Sequence, residues 1–345
     1  MILMGNDMKT NRRRFLRNTG NASLVGAAVV ATGQHSRADN IEKPALVAIS
    51  LDLEMCRNFP HWNDLHWDYE KGNLNDETKR YTLEAARRVK QAGGVVHFFA
   101  LGQTFEQADV TWLREIVDAG HSIGSHTYDH INVTASKTSD LQFRFQRSPW
   151  LLRGLSVAEA IRENLSLTNL AFQSRLGIRP NGFRTPGGFA NGLRDHASVR
   201  AIIREFGFDW ISSLYPTHPY TDPMQEPTAT IIESIVAAQA KSQPFVYDDG
   251  AQGESMVEIP MSPISDIGAF RTGRWQLEWF LTAIRESLAW CIDQRKVFDL
   301  LAHPACLYVT DPEFKTIDLI CDAVRQAGDR AKLVDLATIA ASIRG

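Results

Sequence analysis

Ser125-His126-Thr127-Tyr128-Asp129-His130 puts two imidazoles four residues apart, a spacing at which both reach one cation if the chain between them is helical or tightly looped. Ten histidines in 345 residues produce such a pair by chance about 0.3 times per chain, so the spacing alone does not make a site. Its placement says more, because the pair follows directly on a short run ending near Gly124 that reads as a strand. Three other runs end the same way. Ile49-Ser50-Leu51-Asp52-Leu53-Glu54 closes on two carboxylates at strand spacing, which point to the same side of an extended chain. Phe183-Arg184-Thr185-Pro186-Gly187-Gly188 sets an arginine, which needs a carboxylate partner when buried, before a rigid Pro-Gly-Gly turn. Leu301-Ala302-His303-Pro304 ends a fourth run on an imidazole. Each has an ordinary explanation taken singly, since an acid after a strand is usually a cap or solvated, and a histidine beside proline is more often structural.

The elements that must position these groups come from periodicity. From Pro44 onward, short β-rich runs alternate with longer stretches of helical period, the pattern of parallel strands joined by helices. Strands are expected over 45–51, 95–100, 121–124, 182–185, 208–213, 256–261, 297–303 and 332–335. Helices are expected over 74–92, 110–119, 157–176, 193–206, 274–294 and 311–327. Seven or eight such units predict a single α/β domain, a deformed (β/α)7-8 barrel. In that architecture the chemistry sits on loops after the C-terminal ends of the strands. Two long connections, Cys56 to Gly72 and Tyr215 to Ser255, read as irregular and fall on that face.

Residues 1–38 differ in character from 39–345, the stretch assigned to the barrel. Asn11-Arg12-Arg13-Arg14-Phe15-Leu16-Arg17 leads into a mildly apolar stretch, Ala22 to Thr32, and then Ser36-Arg37-Ala38. This is the layout of an export signal, of twin-arginine rather than general secretory type, and its apolar stretch is too short to span a bilayer. The expected partner is the twin-arginine export machinery, the expected location periplasmic or extracellular, and no membrane span is expected in the mature chain. Without residues 1–38 the net charge moves from −3 to −8, with 31 basic residues against 39 acidic. An acidic surface argues against nucleic acid, whose phosphates need basic partners. Cys56, Cys291, Cys306 and Cys321 are too few and too scattered for a disulfide scaffold and make no metal knuckle, so buried thiols are expected.

Taken in order, the four motifs resemble the polysaccharide deacetylase family, carbohydrate esterase family 4, over about Pro44 to Leu336. Asp52-Leu53-Glu54 stands for the family's first motif and His126 to His130 for its H-[ST]-x-x-H. Arg184-Thr185-Pro186-Gly187-Gly188 stands for R-x-P-x-G, and Leu301-Ala302-His303 for the late L-x-H. The resemblance implies that His126, His130 and an acid of the first motif hold a divalent metal in a two-histidine, one-carboxylate site. It further implies Asp52 as general base, Arg184 as the residue orienting that base, and His303 as general acid. Zinc is the default for such ligands, and cobalt, nickel or iron(II) fits the same set. The implied activity is hydrolysis of N-acetyl groups on a polysaccharide or oligosaccharide, peptidoglycan- or chitin-like, by metal-activated water. Chemistry asks for the same residue types, because an unactivated amide needs a nucleophile at neutral pH and a protonated leaving amine.

Departures from the family pattern sharpen the expectations. In its commonest form the two acids are adjacent, whereas here Leu53 intervenes. Glu54 is therefore taken as the third ligand, the alternative being that Asp52 binds metal and Glu54 supports it. Gly187 replaces the usual aromatic and removes one wall of the sugar groove, and the family's tryptophan motif is only loosely echoed by Asp209-Trp210. Phe59 to Tyr69 packs four aromatics and two histidines into eleven residues. Trp62 or Trp67 there is expected to offer a platform to substrate, with Pro186 beside them in the substrate set, the alternative being a loop packed on the barrel mouth. Two rival functions stand beside the deacetylase. One is a small-molecule amidase of allantoinase-like type on the same fold. The other is a non-catalytic carbohydrate-binding protein, which has no chemical need for the complete set of groups. Oligomeric state is not set by the sequence.

Overall fold

The computed structural model describes residues 43–54, 71–248 and 255–344. Residues 1–38, where an export signal is expected, and Cys56, Trp62 and Trp67 lie outside the described residues. Among those described there are nine strands and ten α-helices, which include the eight strands and six helices expected from periodicity and add β6, α3, α6, α8 and α10. The strands are β1 (Ala45–Leu53), β2 (Val96–Ala100), β3 (Ser122–Ser125), β4 (Phe183–Phe189), β5 (Trp210–Leu214), β6 (Phe245–Tyr247), β7 (Met256–Glu258), β8 (Val297–Ala302) and β9 (Ala331–Leu333). The helices are α1 (Asp76–Gln91), α2 (Thr111–Asp118), α3 (Phe143–Arg147), α4 (Val157–Leu176), α5 (Ala197–Glu205), α6 (Ala229–Lys241), α7 (Leu277–Asp293), α8 (Pro304–Thr310), α9 (Lys315–Ala327) and α10 (Leu336–Arg344). The connection from Tyr215 to Ser255 is not irregular as expected. It carries α6 and β6, the latter antiparallel to β7 through Val246 opposite Val257.

Strand order is β6-β7-β5-β4-β3-β2-β1-β8, with β9 also on β1, and every pair except β6–β7 is parallel. β7 and β8 share no ladder among the described residues. The chain just past β7 spans the gap instead: Met261 N–H bonds Leu214 O at 2.9 Å on one side and Ser262 N–H bonds Asp299 O at 2.8 Å on the other. This is the deformed barrel of the expectation, a single α/β domain.

β1 shows how one strand serves two layers. Val47, Ile49, Leu51 and Leu53 face outward into the core beneath α1, α7 and α9, while Ala48 joins the barrel interior. Period-two alternation continues that inner face through Ser50 and Asp52. Low in the interior, Ala48, Phe99, Trp210 and Val257 pack against Leu336, Ile339 and Ala340 of α10, which closes the floor. Each such fully buried large apolar side chain contributes about 1.5–3 kcal/mol. Gly182, at φ +83°, is required here, because a Cβ would stand 1.8 Å from the Trp210 ring. Caps fix the long helices: Asn75 accepts from Thr78 N–H at the start of α1, and Ser156 and Glu159 form a capping box on α4.

Two buried histidines make the fold acid-sensitive. His121 accepts from Val96 N–H through Nδ1 at 3.0 Å, and His97 Nε2 lies 2.8 Å from Asn181 O. Burial pushes the pKa of each down to about 4. Both stay neutral in the fold and protonate more readily unfolded, so the stability they confer is present above pH 6.5 and is lost as pH falls toward 4. The loss is on the order of 3 kcal/mol for each. Urea unfolding from pH 7 to pH 4 is expected to show this slope, and His121→Gln, which keeps an acceptor without the titration, to flatten it. Equal slopes in the two proteins contradict the assignment.

Candidate metal centre and active site

The interior changes from apolar to ionic one layer above the floor. Arg184 rises from β4 with its guanidinium 4.4 Å above the Phe99 ring. It is fully buried, and donates to Asp52 Oδ1 at 3.0 Å, to Asp299 Oδ2 at 2.7 Å and twice to Ser212 Oγ. One cation thus ties together β1, β4, β5 and β8. The carboxylate partner that a buried arginine requires is two carboxylates, and the second, Asp299, is one the motif reading passed over. Its signal was present in the sequence as a lone charge within Val297-Phe298-Asp299-Leu300-Leu301. Burial raises the Asp299 pKa to about 6 against the pull of Arg184.

Above this layer the two histidines meet the end of β1. His126 follows β3, its N–H bonded to Ala100 O at 3.0 Å, and its Nδ1 donates to Arg184 O at 3.0 Å. That bond fixes the tautomer and leaves Nε2 as a lone-pair donor facing Glu54. Between the histidines the chain is a tight loop, not a helix, with Thr127 at φ +64° and His130 at φ +58°. Left-handed backbone at these residue types is costly and must be held from outside. Asp129 holds it: its carboxylate accepts from Gln103, Arg144 and Asn164, its N–H bonds Asn164 Oδ1, and Thr127 O accepts from Gly102 N–H.

Glu54, His126 and His130 offer donor atoms that all lie within 4.8 Å of one another. His130 Nε2 is in contact with Glu54 Oε2, and His126 Nε2 lies 3.6 Å from the same oxygen. Asp52 is not in this cluster. Its Oδ2 stands 3.7 Å from His126 Nε2 while Oδ1 is engaged by Arg184. Two imidazoles and a carboxylate that converge this way, with one imidazole tautomer already set, fit a divalent cation of borderline softness. Burial opposes charge on Glu54, but His130 and Lys71 beside it hold its pKa well below the ordinary value. Burial also lowers the His130 pKa, to about 4, against the pull of Glu54.

His303 arrives at the end of β8 on the opposite side. Its Nε2 lies 3.2 Å from Glu54 Oε1, its Nδ1 2.9 Å from Asp266 Oδ1, and its N–H donates to Asp266 Oδ2 at 2.7 Å. Burial works against charge on this ring, but Asp266 and Glu54 outweigh it and push the pKa up to about 10. Asp266 also caps the π-helical turn Ile267–Thr272 that forms one wall of the site. Nothing in the sequence around Asp266 marked it. Lys71 was likewise unmarked, and its Nζ donates to Glu54 Oε2 at 2.7 Å.

These groups stand at the bottom of a cavity of about 310 Å³, walled by Tyr215, Tyr220, Met261, Ile267 and Arg271. Of the expected substrate residues, Pro186 is buried and its neighbours Thr185, Gly187 and Gly188 line the cavity in its place. Among the described residues, no helix is long and apolar enough to cross a membrane, and Cys291, Cys306 and Cys321 are buried free thiols.

Residues 69–210 match the model of the family described as polysaccharide deacetylase, a stretch that includes His126, His130 and Arg184. No curated protein matches the chain. Among solved structures, a candidate polysaccharide deacetylase from Mycobacterium smegmatis superimposes with a TM-score of 0.59 at 17% identity, over 88% of this chain and 91% of that one. One from Pseudomonas aeruginosa PAO1 gives 0.57 at 14% identity, over 86% and 90%. The allantoinase PuuE gives 0.54 at 14% identity, over 92% and 97%. At such identities these structures speak to the fold, which is the same deformed barrel. Over residues 69–210 the chain thus matches the polysaccharide deacetylase family, and the barrel that carries its motifs has the fold of these solved structures.

Proposed function

We propose that the chain is a divalent-metal-dependent hydrolase that removes N-acetyl groups from a polysaccharide or oligosaccharide of the peptidoglycan or chitin kind. The observation that carries this reading is the convergence of Glu54, His126 and His130 between two supported groups. Asp52 is held by Arg184 on one side, and His303 by Asp266 on the other. A divalent cation held by the three donors, zinc by default, supplies a Lewis acid that acidifies water at neutral pH. Asp52 accepts the proton of the attacking water, its free Oδ2 turned to the site while Oδ1 stays bonded to Arg184. His303 gives a proton to the departing amine from Nε2, with Asp266 fixing the ring through Nδ1. Arg184 touches no reacting atom in this scheme and acts by orienting Asp52. Glu54, not Asp52, is the carboxylate ligand.

The test is release of acetate from chitooligosaccharides and from peptidoglycan fragments by metal-loaded and chelator-treated protein. Release that depends on the metal is expected from one of the two. No release from either by loaded protein sinks the polysaccharide reading. A solved structure named PuuE allantoinase shares the fold, and a small-molecule amidase of allantoinase-like type, acting on a cyclic or linear amide, is the second reading. It is favoured by the residue between Asp52 and Glu54, by the exposed Gly187 in place of an aromatic, and by a cavity at the small-ligand end of the usual range. Hydrolysis of a cyclic ureide without acetate release would select it. We further propose that residues 1–38 direct export by the twin-arginine route, leaving 39–345 as the catalytic domain. Fractionation of cells expressing the Arg13→Lys/Arg14→Lys variant is expected to retain the protein in the cytoplasm.

A further inference from the structure

Hydrolysis by Asp52, His303 and the metal ligands gives Lys71 no task, yet its ammonium sits against the ligands themselves. Nζ lies 2.7 Å from Glu54 Oε2 and 3.3 Å from His130 Nε2, and the side chain is completely buried. Those are two of the three donor atoms available to a cation. An ammonium bonds oxygen and nitrogen lone pairs through its three N–H donors, so it uses the same electrons that a metal would. A long lysine stem normally carries its charge out to water, and burying it is costly unless the charge is matched.

The backbone aims this side chain. Gly72 N–H donates to Glu54 O at 2.9 Å, tying the chain back to the end of β1 one residue after Lys71. Gly72 has φ +79°, and a Cβ on it would stand 2.6 Å from Gln103 Cβ and 2.8 Å from Gln103 C. Only glycine makes this turn, and the turn fixes where Lys71 begins.

We propose that Lys71 is a built-in counter-cation of the metal site: its ammonium neutralises Glu54 and engages His130 in the metal-free protein, and must withdraw from both when a divalent cation binds. This rests on Glu54, His126 and His130 being the metal ligands. Two consequences have opposite signs. The metal-free site is held assembled, because the buried Glu54 keeps a partner. Metal binding is weakened, because the incoming ion must displace a resident positive charge and then remain near it.

The experiment titrates zinc calorimetrically into the chelator-stripped full-length protein and its Lys71→Met and Lys71→Gln variants, with thermal melts of each with and without zinc. Lys71→Met is expected to bind zinc about tenfold or more tightly than the wild type. It is also expected to melt lower without metal and to gain more from metal. Lys71→Gln keeps a polar head without the charge and gives the same reading on affinity should the methionine variant fail to fold. Zinc binding that is unchanged or weaker in the folded variants, with one ion bound per wild-type chain, overturns the counter-cation and leaves the metal site standing. If neither the wild type nor the variants bind zinc, both fall together.

Discussion

His126→Ala yields a folded chain that no longer retains a divalent cation and hydrolyses its amide substrate about 10⁴-fold more slowly in kcat/KM. The size follows from what is lost. The ion's stabilisation of developing charge is worth several kcal/mol, and each 1.36 kcal/mol is tenfold in rate. The fold survives because His126 sits in the polar layer above the packed floor, and its replacement frees only the Arg184 carbonyl, which is one acceptor. Metal content after dialysis and steady-state kinetics over a range of added zinc check the prediction together. A variant that keeps one ion per chain, or that loses less than about tenfold in kcat/KM, contradicts it.

Arg184→Met has the largest expected effect on stability. The guanidinium is fully enclosed and satisfies Asp52, Asp299 and Ser212 at once. Methionine fills most of the volume over Phe99 but leaves two carboxylates in the barrel with no cation. Removing one partner of a buried ionic group costs about 3–5 kcal/mol, because the other charge is stranded. Urea unfolding at pH 7 should lose that amount. Adding Asp299→Asn to the same chain should recover part of it by removing one stranded charge, a coupling that a double-mutant cycle reads directly. A single variant within about 1 kcal/mol of wild type contradicts the account, since that is the range of an exposed pair. Activity in Arg184→Met should also fall, through an Asp52 carboxylate no longer held in one orientation.

The barrel was legible because its signals are local. Eight β-rich runs and six helical periods in the sequence correspond to strands and helices in the fold, with ends moved by a few residues. β6 was not legible. It is three residues long and exists by antiparallel pairing with β7, a contact that its own sequence does not encode. α6 was hidden by its surroundings, since Pro216, Pro219, Pro223 and Pro227 precede it and made the whole connection read as irregular. In the site, His126, His130, Asp52, Glu54 and His303 stand at or just past the C-terminal ends of β3, β1 and β8, as their strand ends suggested, while Arg184 lies near the start of β4, in the buried layer beneath them. The groups that escaped notice act through other residues. Asp266 is defined by what it bonds, namely His303. Lys71 is defined by a turn that closes at Gly72 across 17 residues from Glu54. No spacing rule reaches either one. The loop from His126 to His130 also shows the limit of a spacing argument, because four residues were compatible with a helix or a turn. The structure takes the turn, at the cost of two left-handed residues.

The division of labour between the two acids is the central claim, and metal stoichiometry in Glu54→Ala and Asp52→Asn tests it most directly. The cluster geometry puts Glu54 against both histidines and leaves Asp52 bonded to Arg184. The account predicts that Asp52→Asn binds one divalent ion per chain and is inactive, while Glu54→Ala binds none. A Glu54→Ala protein with its full complement of metal, or an Asp52→Asn protein without it, would contradict the account.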